Sequence, residues 1–363
     1  MKTRILLVDD SAVVRRVLSD AIAATDDLEV AAVAATGRIG LAKLPRERPD
    51  VVVLDIEMPD MDGLATLTEI RKIRPELPVI MFSSLTRLGA AATLDALQAG
   101  ANDYCPKPMA TDLQAAQAQL THELFPKIRA LVGRGNDLPP RATEPPPAAR
   151  RAPGAAASAA TAVAIGASTG GPNALVELLP RLPGDLPAPV VVVQHMPPVF
   201  TRLLAERLAA RCKMPVHEVE QGQQILPGNV YIAPGDFHFE VQRRAGGVYA
   251  QLHQGPQENS CRPAVDVLFR SVAREYGPGA LGVVLTGMGK DGLAGCEHLR
   301  ERGASILVQD EASSVVWGMP GHVSRARLAD AELPLSALAT QIRDRVFMTP
   351  RAGATRPAAP MAR

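Results

Sequence analysis

Between Gly133 and about Ala160 the chain reads GRGNDLPPRATEPPPAARRAPGAAASAA. The stretch has no apolar periodicity and crowds Pro, Ala and Arg together. Such a composition offers no stripe or face to bury, so it reads as a linker. As a flexible coil it spans roughly 30 Å, and as a proline-stiffened extended chain up to about 85 Å. It splits the 363 residues into two parts, each of which must bury its own core. Hydrophobic residues make up 47% of the chain, enough for both.

Ahead of the linker, apolar runs at Ile5–Val8, Val30–Ala34, Val51–Leu54 and Val79–Phe82, and a shorter one around Tyr104, read as strands. Helix-like segments lie between and after them: Ala12–Ala23, Gly40–Leu44, Leu64–Ile73, Ala90–Ala99 and Leu113–Val132. Five β/α units predict one parallel sheet with helices on both faces. The alternation returns after the linker. Strands are predicted at Ala162–Ile165, Val190–Gln194, Leu281–Thr286 and Ser305–Gln309. Helices are predicted at Ala174–Leu182, Arg202–Arg211, Val265–Glu275 and Leu293–Arg302. A β-rich insert of hairpin character is expected over Val216–Leu252. The expected fold class is therefore α/β twice over: a five-stranded parallel, flavodoxin-like domain, then a second doubly wound α/β domain with an inserted β-hairpin region.

The charge balance narrows the partners. With 39 basic and 38 acidic side chains the formal net charge is +1, which gives no pull toward nucleic acid or an anionic membrane. The four cysteines are scattered, without a C-x-x-C pair, as in a reduced compartment. The start, MKTRILLVDD, is neither a signal peptide nor a span, and no run approaches membrane length. A cytoplasmic protein without membrane insertion is expected.

In the first half Asp9 and Asp10 follow the first strand, Asp55 ends the third, Ser83 ends the fourth and Lys107 follows the fifth. Ligands of an open parallel sheet bind beyond the carboxyl ends of its strands, so these side chains converge on one mouth. Asp9, Asp10 and Asp55 repel one another there unless a divalent cation joins them, and hard oxygen ligands favour Mg²⁺. A carboxylate beside Mg²⁺ attacks a phosphoryl donor because the metal offsets the charge on the transferred oxygens. Ser83 and Lys107 can then hold the new phosphoryl group. The segments LLVDDS, VVLDIEMPDMDG, PVIMFSS and NDYCPKP resemble the response-regulator receiver domain over residues 3 to about 125. The resemblance implies that Asp55 is the phosphoacceptor and Tyr104 the aromatic switch residue. Ser84, beside Ser83, is a second hydroxyl in reach.

In the second half, AVAIGASTGGPN sets Ser168 between glycines where a strand gives way to a helix. No Lys follows the glycines, so the stretch is not a P-loop. It reads either as a plain turn or as a nucleophile elbow, Gly166-x-Ser168-x-Gly170, in which glycines allow the sharp turn and the next helix offers N–H groups to an oxyanion. A serine needs a base. His195 ends the following strand in VVVVQHMPP, at the same mouth of the sheet. An acid to orient it stands at Asp291 in GVVLTGMGKDG. The same loop is a literal G-x-G-x-x-G, with Asp310 ending the next strand about 20 residues on, the dinucleotide spacing. Asp291 would stand where the pyrophosphate binds and repel it, and the motif comes late in its domain. The order Ser168, His195, Asp291 also differs from the serine, acid, histidine order of α/β-hydrolases, so that standard fold is excluded.

Together IGASTGGPNAL, VQHMPPVFT, PGNVYIAPGD, CRPAVDVLF, LTGMGKDG and QDEASSVVWGMP resemble the chemotaxis receptor methylesterases of bacteria, the CheB family of response-regulator protein-glutamate methylesterases. The match covers about 160 to 345. It implies hydrolysis of glutamate methyl esters on the cytoplasmic helices of methyl-accepting chemotaxis receptors, with release of methanol, and deamidation of certain receptor glutamines. It implies a chemotaxis histidine kinase as phosphodonor and no cofactor for the esterase step. It carries over Ser168 as nucleophile, His195 as base and Asp291 as orienting acid, with the backbone N–H groups of Met288 and Thr169 as oxyanion-hole candidates. The expected division is a receiver over 1–125, a helix end and linker over 126–160, the esterase over 161–345 and a disordered tail over 346–363. The unphosphorylated receiver is expected to sit against the esterase mouth and block it.

Overall fold

The structure, a computed structural model, describes residues 2–108, 113–133, 138–139 and 159–348. Most of the expected linker, and the expected tail beyond residue 348, lie outside the described residues.

The first sheet is built from β1 (Thr3–Val8), β2 (Leu28–Ala34), β3 (Val51–Asp55), β4 (Val79–Ser83) and β5 (Asp103–Pro106). All its pairs are parallel, in the order β2-β1-β3-β4-β5. Helices α1 (Ala12–Ala23), α2 (Gly37–Glu47), α3 (Gly63–Ile73), α4 (Arg87–Gln98) and α5 (Leu113–Leu131) alternate with the strands. The central strand β3, VVVLD, is buried along its whole length, as a strand covered on both faces must be. Ser11, Thr36, Asp62 and Thr86 cap the first four helices through their side chains. Each such cap contributes about 1 kcal/mol and fixes where the helix begins. Short strand-end loops therefore hold the acidic residues at one mouth.

The second sheet is larger than its sequence pattern suggests. It comprises β6 (Ala162–Ala167), β7 (Val190–Gln194), β8 (Val216–Glu218) and β9 (Val230–Ile232). A hairpin of β10 (His238–Arg244) and β11 (Gly247–His253) comes next, and then β12 (Ala280–Val284), β13 (Ser305–Gln309) and β14 (Ala331–Leu333). The sheet order is β14-β13-β12-β6-β7-β9-β8, with every neighbouring pair parallel. The stretch expected as a hairpin insert thus divides in two. β8 and β9 extend the main sheet, and only β10 and β11 form an antiparallel hairpin of their own. Helices α6 (Gly171–Leu178), α7 (Pro198–Ala209), α8 (Val265–Tyr276), α9 (Leu293–Glu301), α10 (Met319–Arg325) and α11 (Leu335–Val346) pack around it.

β6 lies inside the sheet, flanked by β7 on one side and β12 on the other. The chain leaves β6 in one direction and returns on its far side. Loops at such a switch point part and leave a crevice at the carboxyl ends of the strands. The loops after β6, β7 and β12 line that crevice.

The receiver-like unit rests on this crevice through α4 and β5. Tyr104 stacks on Phe200 of α7 with ring centroids 4.6 Å apart and planes 14° off parallel. Arg207 of α7 pairs with Asp95 at 2.8 Å and donates to the Ala91 carbonyl at 2.7 Å. Asn173 of α6 donates to the Leu97 carbonyl at 2.7 Å, and Arg211 to Gln98 at 2.9 Å. The apolar core is continuous across this contact, from Leu94 and Leu97 to Phe200 and Leu204. Elsewhere Leu138 lies close to Gly321 at α10, and Arg325 donates to the Pro139 carbonyl at 3.3 Å.

Candidate active site

Ser168 stands one residue past β6 in a turn held from several sides. Its N–H donates to the Thr286 carbonyl at 3.1 Å, and its carbonyl accepts from Gly171 N–H at 2.8 Å and Gln194 Nε2 at 2.9 Å. Gly170, at φ 77°, begins α6 in the left-handed region that a side chain disfavours. A Cβ there would also meet Val315 at 2.6 Å. Ser168 thus stands in a tight turn between β6 and α6. Among the described residues, the N–H groups of Thr169 and Met288 donate to no protein acceptor.

His195 follows β7, and its ring Nε2 lies 2.8 Å from Asp291 Oδ2. The two side chains are 12% and 2% exposed. The G-x-G-x-x-G loop exists to deliver Asp291. At Gly287 a Cβ would meet Ser168 Cβ at 2.9 Å, so glycine lets the loop pass beside the serine. Asp291 collects the N–H groups of Val265 at 2.7 Å, Asp266 at 3.0 Å and Gly292 at 3.0 Å. The first two open α8, whose N-terminus favours negative charge. Burial opposes ionisation of Asp291, but His195 and then the Val265 and Asp266 N–H groups outweigh it and hold the carboxyl below the usual range. Asp310, the ribose partner of the dinucleotide pattern, instead accepts from Ser313 N–H and Oγ.

The structure brings Ser168, His195 and Asp291 to one crevice but does not bond the first to the second. Among the described residues no hydrogen bond joins the Ser168 hydroxyl to the ring. Nδ1 of His195 faces Cys261 Sγ at 3.5 Å. Burial works against the imidazolium, yet Cys261 and Asp291 prevail and push His195 up to about 10.

Two further side chains complete the acid's surroundings, and neither is singled out by the sequence. Asn259 Nδ2 bridges Asp291 Oδ1 at 3.0 Å and Asp266 Oδ2 at 2.9 Å. Asp266 Oδ1 accepts from Gly292 and Gly295 N–H at 2.9 and 2.6 Å. Burial, then the charge of Asp291, raises the Asp266 carboxyl to about 6. The only signal for Asp266 was its place in CRPAVDVLF, where it reads as an ordinary first-turn acid.

The receiver mouth has different chemistry. Asp9 and Asp55 are 2% and 1% exposed, and Asp10 is exposed beside them. One oxygen of each of the three lies within 4.8 Å of the others. Lys107 Nζ is the cation between them, 3.0 Å from Asp9 Oδ2 and 2.8 Å from Asp55 Oδ2. Burial pushes Asp55 up to about 6, against the pull of Lys107. An all-oxygen cluster with more carboxylates than cations fits a hard divalent ion. Ser83 Oγ accepts from Thr93 Oγ1 at 2.8 Å, while Ser84 Oγ pairs with Thr86 Oγ1 at 3.0 Å. Asp103, which begins β5 at the end away from Lys107, joins the receiver unit to the esterase crevice: its Oδ2 accepts from Thr169 Oγ1 at 2.7 Å and pairs with Lys127 at 3.1 Å. The hydroxyl next in line to the nucleophile candidate is thus held by the receiver unit.

Comparison with known proteins gives the family of each half. The family described as CheB methylesterase matches residues 163–342, and the response regulator receiver domain matches 5–118. A protein-glutamate methylesterase/protein-glutamine glutaminase of Trichodesmium erythraeum is 50% identical over 350 residues, covering 95% of this chain and 99% of its own. The chain belongs to the CheB methylesterase family. A protein-glutamate methylesterase/protein-glutamine glutaminase of Nocardioides sp. is 48% identical and covers 93% of this chain and 94% of its own. The solved CheB methylesterase catalytic domain of Thermotoga maritima is 42% identical, with a TM-score of 0.50, covering 51% of this chain and 98% of that one. Among the described residues no helix is long and apolar enough to cross a membrane.

Proposed function

We propose that the chain hydrolyses glutamate methyl esters of chemotaxis receptors to glutamate and methanol, and deamidates selected receptor glutamines to glutamate and ammonia. The observation that carries this reading is the His195–Asp291 pair at 2.8 Å beside the Ser168 elbow, in a chain of this family. Asp291 occupies Nε2 and keeps the proton there, so Nδ1 is the basic nitrogen. Nδ1 takes the Ser168 proton as the serine oxygen bonds to the ester or amide carbonyl carbon. The imidazolium then gives that proton to the departing methoxide or amide nitrogen, which leaves Ser168 esterified. Water, giving its proton to Nδ1, attacks that ester, the proton returns to the Ser168 oxygen as glutamate departs, and Asp291 stabilises the imidazolium in both halves. The Met288 and Thr169 N–H groups would hold the oxyanion; losing one such donor costs about 10²–10³ in rate.

The receiver, over 1–125, is read as the gate of the esterase over 161–345. Asp55 is the phosphoacceptor, with a chemotaxis histidine kinase as donor. Asp9, Asp10 and Asp55 would hold Mg²⁺, which supplies charge compensation for the phosphoryl oxygens. Lys107 and Ser83 would hold the transferred group. Docking of Tyr104 on Phe200 and of Asp103 on Thr169 supports a closed resting state. Phosphorylation at the ends of β3 and β4 reshapes the neighbouring α4–β5 face and loosens it. The reading places the protein in the cytoplasm, against the cytoplasmic helices of the receptors.

The test is methanol release from membranes bearing methylated receptors, with and without acetyl phosphate. Release should rise with the phosphodonor and vanish in Ser168→Ala. A Ser168→Ala chain that releases methanol at the wild-type rate overturns the assignment.

A further inference from the structure

Residues 258–261 form a tight turn beside the crevice. Glu258 N–H donates to the Cys261 carbonyl at 3.2 Å, and Cys261 N–H to the Glu258 carbonyl at 2.9 Å. Asn259 and Ser260, between them, have φ of 51° and 60°. Two successive left-handed residues define the hairpin turn that favours Asn-Gly. Serine at the second position is strained there, and strain of this kind persists only where the surroundings hold it. The surroundings here include Arg270, whose Nη2 donates to both Glu258 carboxylate oxygens at 2.6 and 2.8 Å. The turn sends one side chain to each member of the acid–base pair: Asn259 to Asp291, and Cys261 to His195.

The ring has two nitrogens, and Asp291 takes Nε2. In the neutral ring Nε2 carries the proton and Nδ1 holds the lone pair. Only one hydrogen-bond donor can use that lone pair well. Ser168 O–H must use it for catalysis, yet Cys261 Sγ is the atom beside it. The titratable groups facing the ring are Cys261 from the turn and Asp291 from the loop after β12, with Asp266 of α8 one step behind. We propose that Cys261 is a positioning residue for His195, whose sulfur competes with the Ser168 hydroxyl for Nδ1 and keeps the base occupied in the closed state. The proposal rests on His195 being the base, as read above. Sγ and Nδ1 share one proton across the 3.5 Å contact; no other bond forms or breaks. The direction of the His195 shift, in which Cys261 opposes the effect of burial, agrees with this pairing.

Two measurements on the full chain test it. The first is alkylation of Cys261 by iodoacetamide at pH 7, followed by peptide mass. A thiol alkylates faster beside a base that shares its proton, so His195→Gln should slow alkylation by about tenfold. An unchanged rate overturns the proposal. This arm involves no ester hydrolysis, so it still reads the sulfur–ring contact if the esterase reading fails. The second is kcat/KM against pH for the full chain without a phosphodonor, for wild type, Cys261→Ala and Cys261→Ser. The acid limb should move down by about one unit or more in both variants, since neither keeps a sulfur beside the ring. Cys261→Ser keeps a hydroxyl donor at nearly the same place and guards against loss of the turn. A limb that stays put in both variants overturns the proposal, as does loss of activity at every pH in both.

Discussion

The chain carries two acidic mouths, each at the carboxyl ends of a parallel sheet, and they handle buried carboxylates in opposite ways. At the receiver mouth Asp55 is raised to about 6, because burial outweighs the help of Lys107. At the esterase mouth Asp291 is just as buried, yet it is held below the usual carboxylate range. The difference lies in the donors. Asp291 receives three backbone N–H groups, Asn259 and the His195 ring. Asp55 receives Lys107 and one long bond from Glu57 N–H at 3.4 Å. A carboxylate saturated with donors is fixed as an anion and serves to orient. One short of donors is open to a cation and to chemistry at its own oxygen. The same residue type thus becomes a tool in one mouth and a phosphoacceptor in the other.

The sharpest break of this comparison comes from the esterase mouth. Ser168→Ala and His195→Ala should each lower kcat by about 10⁵–10⁶, and the double variant by no more, because the residues act as one unit. Asp291→Asn should cost about 10³–10⁴. Asp266→Asn should stay within about tenfold of wild type, since it removes a repelling neighbour and leaves the Asp291 donors in place. Methanol release checks all five variants. A loss at Asp266 as large as at Asp291 would mean that the two carboxylates act as a single acid, and the contrast between the mouths would collapse.

At the receiver mouth, Asp55→Ala should abolish phosphoryl uptake from acetyl phosphate, read as intact mass, while basal methanol release continues. Chelation of divalent ions should do the same to the wild-type chain. If the chelated chain still takes up the phosphoryl group, Lys107 alone compensates the charge and the shortage of cations argued above is wrong.

A smaller effect joins the mouths. Arg207→Ala removes the pair with Asp95 and the bond to the Ala91 carbonyl, both on the receiver side of the contact. Coupling of about 1–3 kcal/mol corresponds to a change of about 5–150-fold. Basal release without phosphodonor should therefore rise at least about fivefold, and the gain on phosphorylation should shrink. No rise in Arg207→Ala would leave the docked face without an inhibitory role.

The contrast was only half legible in the sequence. Strand ends announce themselves through apolar runs that stop at Asp9, Asp55, Ser83, Ser168 and His195, because a parallel sheet needs continuous burial. The two mouths were therefore visible. What surrounds each carboxylate was not. Asn259 and Cys261 reach Asp291 and His195 through a turn whose backbone no local pattern specifies, and Asp103 meets Thr169 across two separately patterned units. β8 and β9 are short and carry no mark of which sheet they join, so they read as part of a hairpin insert. α10, β14 and α11 went unread because α10 begins in Gly and Pro and β14 has only three residues, too few to show a period.

The last and smallest effect is on stability, and it follows from the charge state of His195. The ring is raised from an ordinary 6.5 to about 10 in the folded chain, because Cys261 and Asp291 outweigh the burial that opposes the charge. A group raised on folding binds its proton more tightly in the folded state. Its stabilising contribution is complete below about pH 6.5, where both states are protonated. Between about 6.5 and 10 the unfolded chain gives up the proton first, and the contribution drains away as pH rises through that window. Activity runs the other way, because only the neutral ring accepts the serine proton. Across the same window the wild-type chain should lose Tm while kcat/KM climbs. His195→Gln, which cannot titrate, should lose less Tm over that interval, and the difference between the two melting curves isolates the ring from lysines and tyrosines that titrate nearby in pH. Parallel curves from pH 6.5 to 10 would show that the proton is not held more tightly in the folded state. Asp291 would then orient the ring without charging it, and the esterase mouth would depend on donors to the carboxylate alone.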